Sequence, residues 1–588
     1  KTLTVIQGAV ELLRLRDIDL DISKIDLEDT TTYELYASAD TVAVFQVESS
    51  GMRDALRRLR PTCIEDIIAL VALYRPGPME NIPKYCNVKN GKESRDKLHD
   101  LIDPILDETQ GIIVYQEQVM EIARKMAGYT LGGADMLRRA MGKKIKEAMD
   151  AERPKFVDGA KANGVGKAKA EEVFALLEKF ANYGFNKSHA AAYALVSYQT
   201  AWLKANHPVE FMAAVMNCDL HLTDKLAIYQ REVKRLGIET IPPCVNRTNA
   251  HFMVRDGAVL YALGALKNVG PEAMRLIEDE RAAGGVFRDV FDLARRVELK
   301  KIGKRPLEML ARAGAFDLLD PNRKRMFESL DALVAYSAAA HEERASAQVS
   351  LFGEAGGEAL PEPRLSRTDD WLPAERLRQE HEAIGFYLTG HPLDDYKGAL
   401  ERQRVLTIAE LQARAGRTGG AIAKLAGVVT ARQERKSARG SRFAFVGFSD
   451  PTGLYEATCF SEPLEQYREM LEPGALVVIT VEAEAQSEGE LKLLLRAVQP
   501  IDRAVATAGA SGLRVFVNDP DAVEAVKARL AFRTGQGGRP RGGPVNLVLM
   551  APDLPYEVEM RLPGEFPLTP QIAGAIKAAP GVVTVEEF

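Results

Sequence analysis

The sequence predicts a multidomain protein that is mainly α-helical up to about residue 418, all-β from there to about residue 503, and α+β at its end. A length of 588 residues is too great for a single hydrophobic core. Apolar residues recur at three- and four-residue spacing through residues 1–250, which is typical of amphipathic helices. Apolar and polar residues alternate in short runs from residue 421, which is typical of half-buried strands.

Composition excludes several classes of protein. Hydrophobic residues make up 46% and charged residues 27% of the chain, as in ordinary globular proteins. No apolar run approaches the length that spans a bilayer, and the first residues lack the pattern of a signal peptide. The five cysteines are scattered without a CxxC pair, so we expect no zinc site, no disulfide framework and a reducing cytoplasm. Because the chain does not start with Met, we expect it to be part of a longer protein.

The helical region at residues 1–250 contains a first candidate anion-binding corner. Four polar residues open a helix of small side chains that we expect to continue to Lys204: Asn186, Lys187, Ser188 and His189. The N–H groups at the start of a helix attract anions, and a neighbouring Lys and His strengthen that attraction.

A second corner is a glycine pair followed by basic residues. Gly132 and Gly133 precede a helix that carries Arg138 and Arg139, with Lys143 a turn later. Adjacent arginines offer several donors to a triphosphate, although a basic helix face is by default simply solvated. Together the two corners predict a site for a molecule with several phosphates.

Residues 251–340 change to short helices separated by glycine turns. The run from Leu263 to Ala273 has the form of a helix–hairpin–helix, with Lys267 and Asn268 in a turn that ends at Gly270. A weaker copy at residues 300–314 contains Lys304. Such turns present backbone N–H groups to a phosphate without reading base identity. A plain αα-hairpin with a glycine cap looks the same, and the tandem arrangement favours DNA binding.

Residues 341–372 are predicted to be a linker, because they are rich in Ala, Glu, Gly and Pro without sustained periodicity. The linker contains one compact apolar pair, within the run Gln348, Val349, Ser350, Leu351 and Phe352. Two adjacent apolar side chains can fill a pocket on a partner while the Gln fixes the register. The alternative is a featureless linker in which the run arises by chance.

After a connector at residues 373–418, residues 419–503 show three strands, a helix and two further strands, which is the order of an OB-fold. The first hairpin of this domain has Phe443 and Phe445 beside five basic residues: Arg432, Arg435, Lys436, Arg439 and Arg442. Basic groups beside aromatic rings suit single-stranded nucleic acid. Alternatively, the two phenylalanines face the barrel core and the hairpin is merely solvated. Residues 511–588 show a small α+β pattern without catalytic features.

Several long runs resemble the fingers region of the C family of bacterial replicative DNA polymerases, the polymerase III α subunits. They follow one another in the family's order at residues 41–52, 69–78, 111–118, 130–144 and 183–200. The resemblance extends through nearly all of the chain. It implies this division: fingers 1–250, tandem helix–hairpin–helix 251–340, linker with clamp-binding peptide 341–372, connector 373–418, OB-fold 419–503 and a C-terminal clamp-loader-binding domain 511–588.

The resemblance also implies roles for individual residues. Arg138, Arg139 and Lys143 would hold the triphosphate of an incoming deoxynucleotide, and His189 would stand against its sugar as a steric gate. Three neighbours would help to position the nucleotide: Asn186, Lys187 and Ser188. Weaker candidates for nucleotide or DNA contacts are Arg75, Gln116 and Gln118. The expected DNA contacts are Lys267, Asn268, Gly270, Lys304 and the five basic residues of the OB-fold hairpin.

Polymerisation requires metal ions held by carboxylates. Asp17, Asp19 and Asp21 alternate and could share a face, but a solvated acidic linker explains them better. The resemblance implies that the metal-binding aspartates lie upstream of this chain. We therefore expect no catalytic or metal-binding residue here, Mg²⁺ only in the intact enzyme, and no polymerisation by this chain alone.

The implied partners are primer–template and single-stranded DNA, deoxynucleoside triphosphates, the β sliding clamp and the clamp-loader τ subunit. A proofreading exonuclease would be contacted only through a missing amino-terminal domain, and we expect a replisome location in the bacterial cytoplasm, away from membranes. Two alternatives are a non-catalytic DNA- and clamp-binding scaffold and the error-prone paralogue of the same family. The nucleotide corner argues against the first, and the clamp peptide with the full C-terminal domain argues against the second.

Overall fold

The structure is a computed structural model that describes residues 1–142, 146–181, 183–349, 360–415, 421–436, 440–485, 491–505, 512–519, 521–530, 542–550 and 558–588. The chain divides into two compact units. The first contains Lys1–Cys218 with Leu236–Ile238, and the second contains Asp219–Arg235 with Glu239–Phe588. The first unit therefore ends before residue 250, which is the end of the fingers region expected from the sequence. None of the helices in the described ranges is both long and apolar enough to cross a membrane.

The first unit is built of helices. Their bounds are α1 Thr2–Arg14, α2 Thr30–Ser38, α3 Ser50–Leu59, α4 Ile64–Leu73, α5 Ile82–Lys89, α6 Gln116–Ala127, α7 Leu131–Gly142, α8 Lys146–Ala162, α9 Lys167–Ala181, α10 Lys187–Asn206 and α11 Pro208–Cys218. Helix α10 buries small residues such as Ala190, Ala194 and Ala201 on one face, so that α2 and α4 pack closely against it. A second hydrophobic core is shared by the helices α6, α7, α8 and α9.

The second unit begins with α12 (Thr223–Arg235) and a three-stranded sheet of order β1-β3-β2. The strands are β1 Thr240–Ile241, β2 Met253–Arg255 and β3 Ala258–Leu260. Short helices follow, with the hairpin turns between them: α13 Pro271–Gly284, α14 Val290–Arg296, α15 Leu299–Ile302, α16 Lys304–Arg312, α17 Arg323–Glu328 and α18 Leu330–Val349. The connector contributes α19 Pro373–Ile384, α20 Lys397–Arg402 and α21 Ile408–Ala415.

The predicted linker is partly wrong. Residues 341–349 continue α18, because Ala and Glu are strong helix formers and their abundance was mistaken for low complexity. Further along the predicted linker, the segment around residues 366–368 is hydrogen-bonded to the helical region before it. The Ser366 N–H donates to the hydroxyl of Ser329 at 2.9 Å, and the Asn322 amide donates to the carbonyl of Thr368 at 2.8 Å.

A closed five-stranded barrel of order β4-β5-β6-β8-β7 follows the connector. Its elements are β4 Ala421–Lys436, β5 Arg442–Asp450, β6 Gly453–Cys459, α22 Ser461–Tyr467, β7 Leu476–Ala485, β8 Leu491–Pro500 and α23 Ile501–Val505. Alternate residues fill the barrel interior, for example Ala444, Val446 and Phe448 of β5. The helix between β6 and β7 is the position at which an OB-fold carries its helix.

The C-terminal part is a four-stranded sheet of order β12-β11-β9-β14, in which β9 and β11 are parallel. Its elements are β9 Leu513–Val517, α24 Asp521–Leu530, β10 Gly542–Gly543, β11 Val545–Leu549, β12 Val558–Arg561, β13 Phe566–Pro567, α25 Pro570–Lys577 and β14 Val582–Glu587. The helices α24 and α25 cover the face that carries Val515 and Leu547. The predicted fold class, mainly α followed by an OB-fold barrel and an α+β domain, is confirmed.

Candidate nucleotide-binding corner and nucleic-acid surfaces

The start of α10 is fixed by its own cap. Asn186 lies in extended conformation, and its side-chain oxygen accepts a hydrogen bond from the His189 N–H at 2.8 Å. This cap explains why the helix begins at Lys187, as the sequence predicts. Asn186, Ser188 and His189 are exposed and Lys187 is half-buried, so the residues of the first corner lie together at an accessible helix start.

The same helix start is attached to the beginning of α6. Phe185 and Tyr115 form a parallel β-bridge, and the Gln116 N–H donates to the carbonyl of Phe185 at 2.9 Å. The amide of Gln116 also donates to the carbonyl of Gly184 at 3.1 Å. The first turn of α6 thus lies beside the first turn of α10.

Arg138 joins the second corner to this arrangement. Its guanidinium donates to the side-chain oxygen of Gln116 at 2.9 Å and to Asp135 at 2.8 Å and 3.0 Å. Arg139 forms an ion pair with the other oxygen of Asp135 at 2.8 Å. The hydrogen bond from Arg138, with the charge of Arg139, lowers the pKa of the Asp135 carboxyl. The two corners that the sequence separates by about 50 residues therefore meet through Gln116, a residue that the sequence ranks only as a weaker candidate. Lys143 lies outside the described residues.

His189 belongs to a column of aromatic rings. Its ring centroid lies 5.5 Å from that of Phe185 and 4.4 Å from that of Tyr193, which lies 5.6 Å from Phe45. The guanidinium of Arg75 lies over the ring of Phe185 at 4.3 Å and donates to the carbonyl of Tyr183 at 2.7 Å. Arg75 is therefore used to hold this column, and burial lowers its pKa. Aromatic contacts of this kind orient the exposed ring of His189 beside the helix start.

The turn that presents Arg75 depends on a glycine. Gly77 has a φ of +99°, and a Cβ at this position would lie 2.4 Å from the ring of Tyr183. Gln118, by contrast, has an internal role. Its side-chain oxygen accepts from the N–H groups of Val114 and Tyr115, and its amide donates to Thr109 at 2.8 Å.

The acidic stretch near the start of the chain shows the features of a solvated turn. Asp21 accepts hydrogen bonds from Ser23 and pairs with Lys24, which lowers its pKa to about 2. Asp19 lies 3.9 Å from Arg14 at the surface. Within the ranges that the structure describes, no group of three or more His, Cys, Asp or Glu side chains could hold a metal ion.

The first hairpin turn is partly covered by the connector. The N–H of Lys267 donates to the carbonyl of Ala383 at 2.8 Å, so this donor is not free for a phosphate. Asn268 has a φ of +61° and is exposed, as is Gly270. The left-handed residue of this turn is therefore Asn268, which tolerates that conformation through its short polar side chain, and Gly270 is the cap of α13.

The second hairpin turn is exposed and carries basic residues on both sides of its glycine. Gly303 connects α15 to α16 with a φ of +92°. Lys304 pairs with Asp331 at 2.8 Å, and this contact raises its pKa. Lys300 and Arg305 are exposed and have no ion-pair partner in the described part of the chain. Sequence reasoning missed both, although their positions on either side of Gly303 are the signal that would have identified them.

The outer face of the barrel carries the aromatic and basic groups of the β4–β5 hairpin. Phe443 and Phe445 alternate with buried residues and are half-buried, so they lie outside the barrel core. Their rings meet edge to face at 5.5 Å and 81°. Arg435 lies opposite Phe443 in the strand pairing, and its guanidinium is 5.2 Å from the ring of Phe445. Lys436 and Arg442 lie opposite each other in the strand register at the exposed end of the same hairpin. Arg439 is not among the described residues.

Arg432 differs from the other predicted DNA contacts. Its guanidinium donates to the carbonyl of Arg468 at 2.7 Å and pairs with Glu472 at 2.9 Å and Glu434 at 3.3 Å. Only 15% of its side chain is exposed. Arg432 is therefore engaged in intramolecular contacts that attach the segment after β6 to β4.

The clamp-binding peptide cannot be located in full. The backbone of Gln348 and Val349 forms the end of α18, and Ser350, Leu351 and Phe352 lie outside the described residues.

Three family models and several known proteins match parts or all of this chain. The model of the bacterial DNA polymerase III alpha subunit finger domain matches residues 2–164, a helix-hairpin-helix motif matches residues 237–326, and an OB-fold nucleic acid binding domain matches residues 423–501. DNA polymerase III subunit alpha of Caulobacter vibrioides is 49% identical over 588 residues, which is 100% of this chain and 51% of that protein. The subunit of Escherichia coli K12 is 41% identical over 535 residues, covering 88% of this chain and 46% of that protein.

A third relative, DNA polymerase III subunit alpha of Rickettsia bellii, is 41% identical over 531 residues, covering 86% of this chain and 45% of that protein. This chain spans about half the length of the relatives that it matches. The resemblance found in the sequence is confirmed, and the chain belongs to the family of bacterial DNA polymerase III alpha subunits.

Proposed function

We propose that this chain, as a member of the bacterial DNA polymerase III alpha-subunit family, provides the nucleotide-binding fingers and the DNA-binding surfaces of a replicative DNA polymerase. In the intact subunit, a primer would be extended by template-directed nucleotidyl transfer. The carboxylates that hold the catalytic Mg²⁺ ions would come from the remaining half of such a subunit, since the relatives are about twice as long as this chain.

The observation that carries the proposal is the meeting of the two corners. Arg138 is held by Asp135 and Gln116, and Gln116 is bonded to the loop that leads into α10. A guanidinium fork and a helix start in one connected cluster are the donors that a polyphosphate requires. Charge that develops on a leaving pyrophosphate would be stabilised by donors already held in place.

The position of His189 supports a role in selecting the sugar. The column of Phe185 and Tyr193 restricts the exposed imidazole, which lies three residues into α10 from the capped start. A ring fixed next to the phosphate donors would meet the sugar of a bound nucleotide and exclude a 2′-hydroxyl. Asn186, Lys187 and Ser188 would position the same nucleotide, with Lys143 as a further phosphate contact.

The nucleic-acid surfaces are proposed on the second unit. The exposed turn around Gly303 would hold duplex phosphates, with a smaller contribution from the turn around Asn268. The outer face of the barrel around Phe443 and Arg435 would hold single-stranded template. Both surfaces read phosphate and stacking rather than base edges, which suits a polymerase that copies any sequence.

Partner contacts complete the proposal. Gln348 to Phe352 would bind the β sliding clamp, and the C-terminal sheet with its helices would bind the τ subunit of the clamp loader. A proofreading exonuclease would be reached only through other parts of the subunit. These assignments are supported by the family resemblance and, for the peptide, by Gln348 and Val349 forming the last residues of α18.

Triphosphate binding by this chain tests the proposal. Arg138→Ala removes the guanidinium that links the two corners, and we expect it to weaken binding of a deoxynucleoside triphosphate by about 10- to 150-fold, since charged hydrogen bonds contribute about 1.5–3 kcal/mol. Arg124→Ala is the matched control, because Arg124 lies on α6 and pairs at the surface with Glu121. Equal affinities in the wild type and Arg138→Ala would disprove the nucleotide site.

A further inference from the structure

The carboxylate of Glu117 occupies the anion-binding start of α10. One of its oxygens accepts a hydrogen bond from the Lys187 N–H at 3.0 Å, and the other accepts from the side-chain amide of Asn186 at 3.0 Å. Glu117 is also in the first turn of α6, so that the positive ends of two helices meet at one carboxylate. In the described part of the chain, no Lys, Arg or His forms an ion pair with it.

The side-chain cations of the corner are likewise paired with carboxylates of the chain itself. Lys187 pairs with Glu108 at 2.6 Å, and Arg138 and Arg139 share Asp135. A Lys or Arg side chain can move and can hold a phosphate beside its carboxylate. The N–H at a helix start points in one direction, so a phosphate and the Glu117 carboxylate cannot both accept from Lys187 N–H.

We propose that Glu117 is an internal stand-in for phosphate. In the absence of nucleotide, its carboxylate accepts a hydrogen bond from the Lys187 N–H at the start of α10, and a bound triphosphate displaces it. This inference rests on the proposed nucleotide site and adds that binding there is a competition between two anions. Displacement favours ligands that also engage Arg138 and Arg139, because those contacts compensate for the loss of the carboxylate. The corner would therefore select polyphosphates over a single phosphate.

The same contacts also fit a purely structural role. Glu117 could keep Asn186 and Lys187 in the geometry that a nucleotide requires, in which case its removal would weaken binding. The two roles predict effects of opposite sign, so that one substitution separates them.

The test is the binding of inorganic triphosphate to the purified chain, measured by isothermal titration. Glu117→Gln keeps the shape of the side chain and removes its charge, and we expect binding to become about two- to fivefold tighter, the range that a charge at a helix end typically contributes. Glu121→Gln is the matched control. Glu121 lies one turn further along α6 and pairs with Arg124 and Lys125 at the surface, so binding should not change. Inorganic monophosphate, which lacks the compensating contacts with Arg138 and Arg139, should gain at least as much as triphosphate.

Unchanged or weaker triphosphate binding by Glu117→Gln overturns the inference. Glu117→Ala is a second variant with the same expected direction, so that a folding defect in one variant leaves the other informative. The Arg138→Ala variant distinguishes a wrong role for Glu117 from a wrong nucleotide site. If the wild type binds triphosphate, Arg138→Ala weakens it and Glu117→Gln fails to strengthen it, only the role of Glu117 is wrong. If Arg138→Ala has no effect, the nucleotide site itself is wrong.

Discussion

Two aromatic rings on the outer face of the barrel predict how much affinity for single-stranded DNA is lost when one of them is removed. The Arg435 guanidinium lies 5.2 Å from the ring of Phe445, and the rings of Phe445 and Phe443 meet edge to face at 5.5 Å. Phe443 is half-buried on the outer face of the barrel, and we expect its ring to stack on one base. Stacking of one base on an aromatic ring contributes about 1–3 kcal/mol, so Phe443→Ala should weaken binding of single-stranded DNA by about 5- to 150-fold.

The assay is fluorescence anisotropy of a labelled oligothymidylate titrated with the chain at fixed salt, since affinity depends strongly on ionic strength. Ile422→Ala is the control. Ile422 is an apolar side chain on the neighbouring strand β4, is 77% exposed, and lies far along that strand from the hairpin end. Equal affinities for the wild type and Phe443→Ala, with both variants folded, would refute the assignment of this face to single-stranded DNA.

Three further predictions concern other parts of the second unit. Replacing Lys300 and Arg305 with Ala should weaken duplex binding and reduce the salt dependence by about two phosphates; an unchanged salt slope in filter binding would contradict the proposed hairpin contact. Burial lowers the pKa of His391 to about 4, below the value of about 6.5 in an unfolded chain, so stability should fall by up to about 3 kcal/mol as the pH drops from about 6.5 towards 4. His391→Gln should flatten this part of the pH–stability curve in urea unfolding, and an equally steep curve would count against the burial argument. Replacing Leu351 and Phe352 with Ala should abolish retention by the sliding clamp while DNA binding persists; retained pull-down would exclude the peptide.

Local signals in the sequence predicted the elements well. The start of α10 follows from its run of polar residues and its course from the small residues after them, both visible in the sequence, and the helix runs two residues beyond the expected Lys204, to Asn206. The barrel strands follow from alternation, and the same alternation places Phe443 outside the core once Ala444 and Val446 are known to be inside. The helix that continues α18 to Val349 was missed, because its composition resembles that of a linker.

Contacts between distant segments account for the rest. Nothing in the sequence shows that Gln116 connects Arg138 to Gly184, since the three lie on separate elements. Arg432 was predicted to contact DNA because it belongs to a basic run, but Glu472, 40 residues away in the chain, pairs with it. Glu117 was overlooked because an acidic residue in the first turn of a helix is ordinary, and only the fold brings it to the start of another helix.

In the proposed site, the start of α10 and the Arg138 guanidinium hold the phosphates of an incoming nucleotide. A crystal structure of this chain with a bound deoxynucleoside triphosphate tests it most directly. We predict phosphate oxygens within hydrogen-bonding distance of Arg138 and of the Lys187 N–H, with the Glu117 carboxylate turned away. Phosphates bound instead at the hairpin turn around Gly303, with Glu117 still bonded to Lys187, would contradict the proposed nucleotide site.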